Sequence, residues 1–180
     1  MPTHLRARRL GLAVAALGAL GVGAAVTSTA QAATAPACSP TSLSARVTGG
    51  SAGMSQPASY VTLTNTSTRA CRLTGYPRIT SAWTKSGRQR VSVTNGAVMN
   101  APTVKPSTVT VQPKGHAWFA VGAATAYDPP LVTFERITVA PSASSASFTV
   151  RDLGLPATAP KGKAFPLGVT AFAAGKPPAS

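Results

Sequence analysis

From Thr41 onward, apolar residues recur at every second position in short runs that glycine and proline keep interrupting. This pattern limits the fold more than any other feature of the chain. Alternating faces suit half-buried β-strands, and the breaks leave no stretch for an amphipathic helix. Val61 and Leu63 alternate with Tyr60, Thr62 and Thr64, while Ile79, Ser81 and Trp83 alternate with Arg78, Thr80 and Ala82. Shorter runs pair Val91 with Val93, Val109 with Val111, Phe119 with Val121, Val132 with Phe134 and Phe148 with Val150, with Ile137 to Val139 between the last two. A final run spans Leu167 to Phe172. Turn chemistry separates them at Asn65-Thr66-Ser67, Lys85-Ser86-Gly87, Asn95-Gly96, Pro113-Lys114-Gly115 and Asp128-Pro129-Pro130. An all-β chain follows: one antiparallel β-sandwich of about seven to nine strands.

The first 32 residues stand outside that pattern. Arg6, Arg8 and Arg9 precede an apolar stretch from Leu10 to Val26, and Ala30-Gln31-Ala32 follows. This is the layout of a secretory signal peptide cleaved after Ala32. As a permanent anchor the stretch is poor, because its 17 residues include Gly11, Gly18, Gly21 and Gly23 and sit at the lower limit for crossing a ~30 Å hydrocarbon core. Arg8-Arg9 has weak flanks for a twin-arginine signal, and Cys38 lies too far beyond the apolar stretch to be a lipid attachment point. The expected organisation is a signal peptide over 1–32, a short segment over 33–40 carrying Cys38, a sandwich over 41–173 and a flexible tail over 174–180. No transmembrane span is expected after processing. The expected location is extracellular, free or held at the cell wall.

Fourteen of the 17 Lys and Arg follow residue 32, against Asp128, Glu135 and Asp152, for a net charge of +11. Residues 33–127 carry nine basic groups and no carboxylate. Such a field concentrates anions, which outside a cell means envelope polymers, acidic lipid head groups or free nucleic acid; the competing reading is charge for solubility alone. Arg69, Arg72, Arg78, Lys85, Arg88 and Arg90 fall within 22 positions. On an antiparallel meander they would converge on one surface, where arginine forks suit phosphate and carboxylate groups. Tyr76 and Trp83 lie nearby but suit the core equally well, so no specific nucleic-acid partner is expected.

Two cysteines, Cys38 and Cys71, remain in the exported chain, where oxidation is permitted. Only one intramolecular pairing exists. It would close a loop of about 34 residues, worth roughly 3–4 kcal/mol in the chain-entropy description.

Residues 59–79 combine a strand ending in Asn65-Thr66-Ser67, a short strand anchored by Cys71, and a turn built on Gly75, Tyr76 and Pro77. With Cys38 and Leu43 upstream, the pattern Cys…Asn-x-Ser-x-x-x-Cys-x-Leu-x-Gly-Tyr-Pro resembles the actinobacterial secreted family catalogued as domain of unknown function 4232, over about residues 38–173. The resemblance implies an immunoglobulin-like sandwich whose two cysteines pair. It implies no catalytic residue, and it marks Asn65, Gly75, Tyr76 and Pro77 as structural turn residues. Asn65-Thr66-Ser67 also fits an N-glycosylation acceptor, with a polar turn as the plainer reading.

Catalytic constellations are scarce. Gly49-Gly50-Ser51-Ala52-Gly53 matches the G-x-S-x-G nucleophile elbow, but no helix follows it and no carboxylate lies between Ser51 and His116. His116 alternates with Trp118, so both belong on one strand face, opposite Phe119 and Val121. After residue 32, one histidine and two paired cysteines leave no first shell for zinc, and no loop has the oxygen density calcium needs. Neither a metal nor a cofactor is expected. The sequence points to a secreted, non-catalytic binding domain that associates with anionic envelope polymers or lipid head groups through its basic surface. A protein-interaction module, acting as inhibitor or subunit of another secreted protein, is the first alternative, and a hydrolase the second.

Overall fold

The computed structural model describes residues 35–53, 55–96, 98–126, 130–141 and 146–179. The expected signal peptide and its cleavage site lie outside the described residues, as do Asp128 and Pro129 of the expected turn. Among the described residues, beyond one 3-10 turn at Pro40–Ser42, the regular structure is entirely β. In one sheet, β1 (Leu43–Ser51), β2 (Ala58–Asn65), β8 (His116–Ala123), β13 (Phe165–Val169) and β6 (Val91–Asn95) lie side by side in that order. β14 (Ala173–Ala174) also pairs with β8. The second sheet holds β11 (Phe148–Val150), β10 (Arg136–Ala140), β4 (Arg78–Thr84) and β5 (Gly87–Gln89). Two ribbons complete the architecture: β3 (Cys71–Thr74) with β7 (Thr108–Val111), and β9 (Val132–Phe134) with β12 (Leu155–Ala157).

All four sheets send side chains into one core. Val61, Leu63 and Phe119 enter from the first sheet, Ile79, Ile137 and Val139 from the second, and Leu73 and Phe134 from the ribbons. Each fully buried side chain of this size contributes roughly 1.5–3 kcal/mol. Phe119 meets Phe172 edge to face at 5.9 Å, as Phe134 meets Phe165 at 5.4 Å, the arrangement favoured by ring quadrupoles. A smaller second core covers the opposite face of the first sheet, where Tyr60 and Trp118 pack at 5.8 Å beneath Val98. β2 and β8 are therefore buried on both faces, which is why their burial is nearly continuous although their apolar residues alternate.

The expected sandwich class holds, with three differences. Among the described residues, fourteen short strands replace seven to nine; two of the added breaks fall at Arg90, between β5 and β6, and at Glu135, between β9 and β10. The pairing is not wholly antiparallel: past Arg90 the chain leaves the second sheet, and β6 lines up parallel to β13 at the edge of the first. In β4, Thr138 faces Ser81 while the adjacent Val139 faces Ile79, so Thr80 is an extra, bulged residue. A bulge reverses which face each later side chain takes. Ala82 is consequently buried and Trp83, expected beside Ile79, points to the outer face.

The N-terminal segment is tied to β3. Cys38 bonds to Cys71 with a Cα separation of 4.8 Å, and both are buried. The Cys38 amide donates to the Arg72 carbonyl (2.9 Å), and the Arg72 amide to the Pro36 carbonyl (2.7 Å). Asn65 is 0 % exposed. Its Nδ2 donates to the Arg69 and Val111 carbonyls at 2.8 and 3.0 Å, and its Oδ1 accepts from the Ser67 amide (3.0 Å) and hydroxyl (2.7 Å). Both amide hydrogens are engaged inside the fold, so Asn65 is a structural turn residue and not a presented glycosylation site. Gly75 has φ +70°, a left-handed conformation that glycine adopts without strain. Its amide donates to the Ser107 carbonyl (3.1 Å), and its carbonyl accepts from the Phe172 amide (3.0 Å). Tyr76 packs against the main core and buried Pro77 leads into β4. The expected flexible tail is anchored at its start, where the Gly175 amide donates to the His116 carbonyl (2.9 Å).

Two outcomes follow. Replacing both cysteines with alanine lowers the unfolding free energy by about 3–4 kcal/mol in urea titration, and alkylation of the unreduced, denatured protein labels neither cysteine. Asn65→Ala removes four hydrogen bonds, leaving the Arg69 carbonyl only its bond from the Ser67 hydroxyl (2.9 Å), and costs about 2–4 kcal/mol, whereas Ser67→Ala costs about 1 kcal/mol or less.

Candidate functional site

The outer face of the second sheet is built around the bulge in β4. Trp83 stands opposite Arg136 of β10 and Arg88 of β5, so three side chains from three strands form one cross-strand row. Directly opposed antiparallel residues have Cβ atoms about 4.5–5.5 Å apart. The Arg136 guanidinium lies 4.6 Å from the Trp83 ring centroid, a cation–π contact. Arg88 and Arg136 are exposed and Trp83 is half-buried. Arg78 stands opposite Ala140, on the same outer face because of the bulge. Arg88 and Arg90 line an open depression of about 510 Å³ with Thr80 and Ser81 for its floor, and Arg78 lines a neighbouring one beside Tyr76 and Pro77.

The six basic residues of the 69–90 run do not belong to one sheet. Arg78, Lys85, Arg88 and Arg90 belong to β4, β5 and the segments adjoining them. Arg69 stands in the loop after β2, where its carbonyl serves Asn65. Arg72 is on β3, which pairs with β7 and not with β4. A meander would have kept them together, but β3 leaves the second sheet to form its own ribbon. In their place the fold contributes Arg136, more than 40 positions downstream of Arg90. Its alternation with Ile137 and Val139 marks it as outward-facing; only the β10–β4 register places it over Trp83.

Glu135 flanks the face, its amide donating to the Trp83 carbonyl (2.9 Å). Among the described residues, the ion pair within 4.0 Å joins Lys85 to Glu135, both exposed, at 4.0 Å, and solvent-exposed pairs of this kind interact weakly. Asp152 is exposed and has φ +56° after β11. No His, Cys, Asp and Glu cluster suited to a metal occurs among the described residues.

The residues nominated for hydrolysis are far apart. Ser51 stands opposite Ala58 at one end of β2, and His116 opposite Thr64 at the other. Six residues of strand separate those positions, roughly 20 Å. The Ser51 hydroxyl donates to the Asn100 carbonyl (2.8 Å), and the chain continues toward β2 without the helix an elbow needs. His116 and Trp118 do share a face, but Trp118 is buried in the smaller core while His116 is half-buried at its margin.

Neither the curated proteins nor the solved structures contain a match to this chain. The family model described as domain of unknown function (DUF4232) matches residues 38–173, from the first cysteine to the start of β14. That span contains both cysteines, the Asn65 turn, the Gly75-Tyr76-Pro77 turn and every residue of the arginine–tryptophan row, and the chain belongs to the DUF4232 family.

Proposed function

We propose that the chain is exported and acts as a non-catalytic binding domain that holds anionic polymers of the cell envelope on the outer face of its second sheet. The observation that carries this reading is the Arg136–Trp83–Arg88 row, with Arg78 and Arg90 beside it. Guanidinium groups in a row present paired donors to successive phosphates or carboxylates. The net charge raises the local anion concentration before contact is made. Export is supported by the basic and apolar start of the chain and by the buried disulfide, a bond favoured in oxidising compartments. Among the described residues, no helix is long and apolar enough to cross a membrane.

The surface composition favours a polyanion over a protein partner. Large apolar side chains strongly exposed among the described residues are Met99 at 65 % and Leu131 at 63 %, in two different loops. A protein-docking site would present a contiguous apolar or aromatic patch. The non-catalytic reading is supported by the separation of Ser51 from His116.

Co-sedimentation with isolated envelopes across a salt series tests the proposal. Binding falls steeply as salt rises, as expected when charge drives association. Arg88→Glu combined with Arg136→Glu weakens low-salt binding at least about tenfold, while Lys105→Glu combined with Lys114→Glu, an equal change in net charge, weakens it much less. Equal losses in the two variants would reduce the site to diffuse charge. Binding that survives high salt would replace the polymer with a specific partner.

A further inference from the structure

We infer that a groove on the outer face of the first sheet, beside His116, is a binding site for a sugar unit carrying a phosphate or carboxylate. The groove has a volume of about 600 Å³, inside the range of about 300–1,000 Å³ typical of small-molecule sites. It lies on a different sheet from the arginine–tryptophan row and does not depend on that row's function.

Its floor is a set of hydroxyls placed by register. Arg46 stands opposite Thr62, and Thr64 opposite His116, so β1, β2 and β8 all direct polar side chains to this end of the face. A bulge between Val47 and Gly49 adds Thr48 to the same surface, where its Oγ1 lies 2.7 Å from Thr62 Oγ1. The Thr64 hydroxyl and His116 Nδ1 are 3.0 Å apart, which fixes the imidazole and leaves Nε2 as the ring's other polar atom. Pre-oriented hydroxyls and a ring nitrogen offer both donors and acceptors, as the hydroxyls of a sugar require.

The walls supply charge and an apolar surface. Arg46 and Lys176 both line the groove, and among the described residues no Asp or Glu does. They come from opposite ends of the described chain and meet here because β14 pairs with Trp118 and Ala117, and the Gly175 amide holds the His116 carbonyl. Pro177 and Pro178 then form the remaining wall. Two rigid pyrrolidine rings suit the C–H face of a pyranose, while the two cations suit its anionic substituent.

NMR titration of the ¹⁵N-labelled protein with glucose 6-phosphate, glucuronate and neutral glucose tests the assignment. The expected result is saturable shifts at the amides of Thr48, Thr62, Thr64, His116 and Lys176 with at least one anionic sugar, and binding of glucose at least about tenfold weaker. The preferred anion tells phosphate from carboxylate. Arg46→Gln, at an exposed position where folding is not at stake, weakens the anionic sugar at least about tenfold; Arg88→Glu with Arg136→Glu leaves it unchanged. Absence of saturation with both anionic sugars, equal affinity for glucose, shifts centred on the second sheet, or an unaffected Arg46→Gln variant would each overturn the proposal.

Discussion

The side-chain amide of Asn65 is the interaction on which the rest of the molecule depends. It sits where β2 ends, and its four hydrogen bonds satisfy the loop that follows and the end of β7 together. A buried polar group without partners would be costly, and a fully satisfied one specifies a unique arrangement. This arrangement aims the chain into β3 so that Cys71 reaches Cys38, and Gly75 then turns it toward β4. Backbone bonds from Asn65 to Gly115 and from Lys114 to Asn65 bring the start of β8 to the same point. Both faces proposed for binding adjoin this junction: β4, which follows it, carries one, while β1 and β2 before it and β8 beyond it carry the other.

Much of the fold was legible in the sequence because period-two alternation reports which residues face a core. Val61, Leu63, Phe119 and Val121 are buried together as their spacing requires. The disulfide and the turn motif were legible for a different reason, since a lone cysteine pair and a glycine–proline turn each have few structural solutions. Alternation alone groups Trp83 with Ile79, but a one-residue bulge at Thr80 carries no signature of its own, and everything after it changes sides. The parallel pairing of β6 with β13 was invisible for a related reason: alternation fixes faces and says nothing of neighbours.

The candidate sites were less legible than the core. Charge density drew attention to residues 69–90, yet proximity in sequence did not translate into proximity in space for Arg69 and Arg72. Arg136, Arg46 and Lys176 each stand alone in sequence, and only strand register groups them with their neighbours. Binding surfaces on sheets are assembled across strands, so the relevant periodicity runs perpendicular to the chain. His116 was singled out for its rarity, and its strand face was foreseen; its partner Thr64 is set by the β2–β8 pairing alone.

The pairing of β6 also sets the order in which the molecule is completed. β6 ends at Asn95 and its partner in the sheet begins at Phe165, with β7 through β12 made in between. The Phe172 amide, which holds the Gly75 carbonyl, arrives later still. Contacts so distant along the chain are slow to form, because loop closure must precede any gain from pairing. That edge of the first sheet is therefore closed only once Phe165–Val169 has been made and has returned to β6.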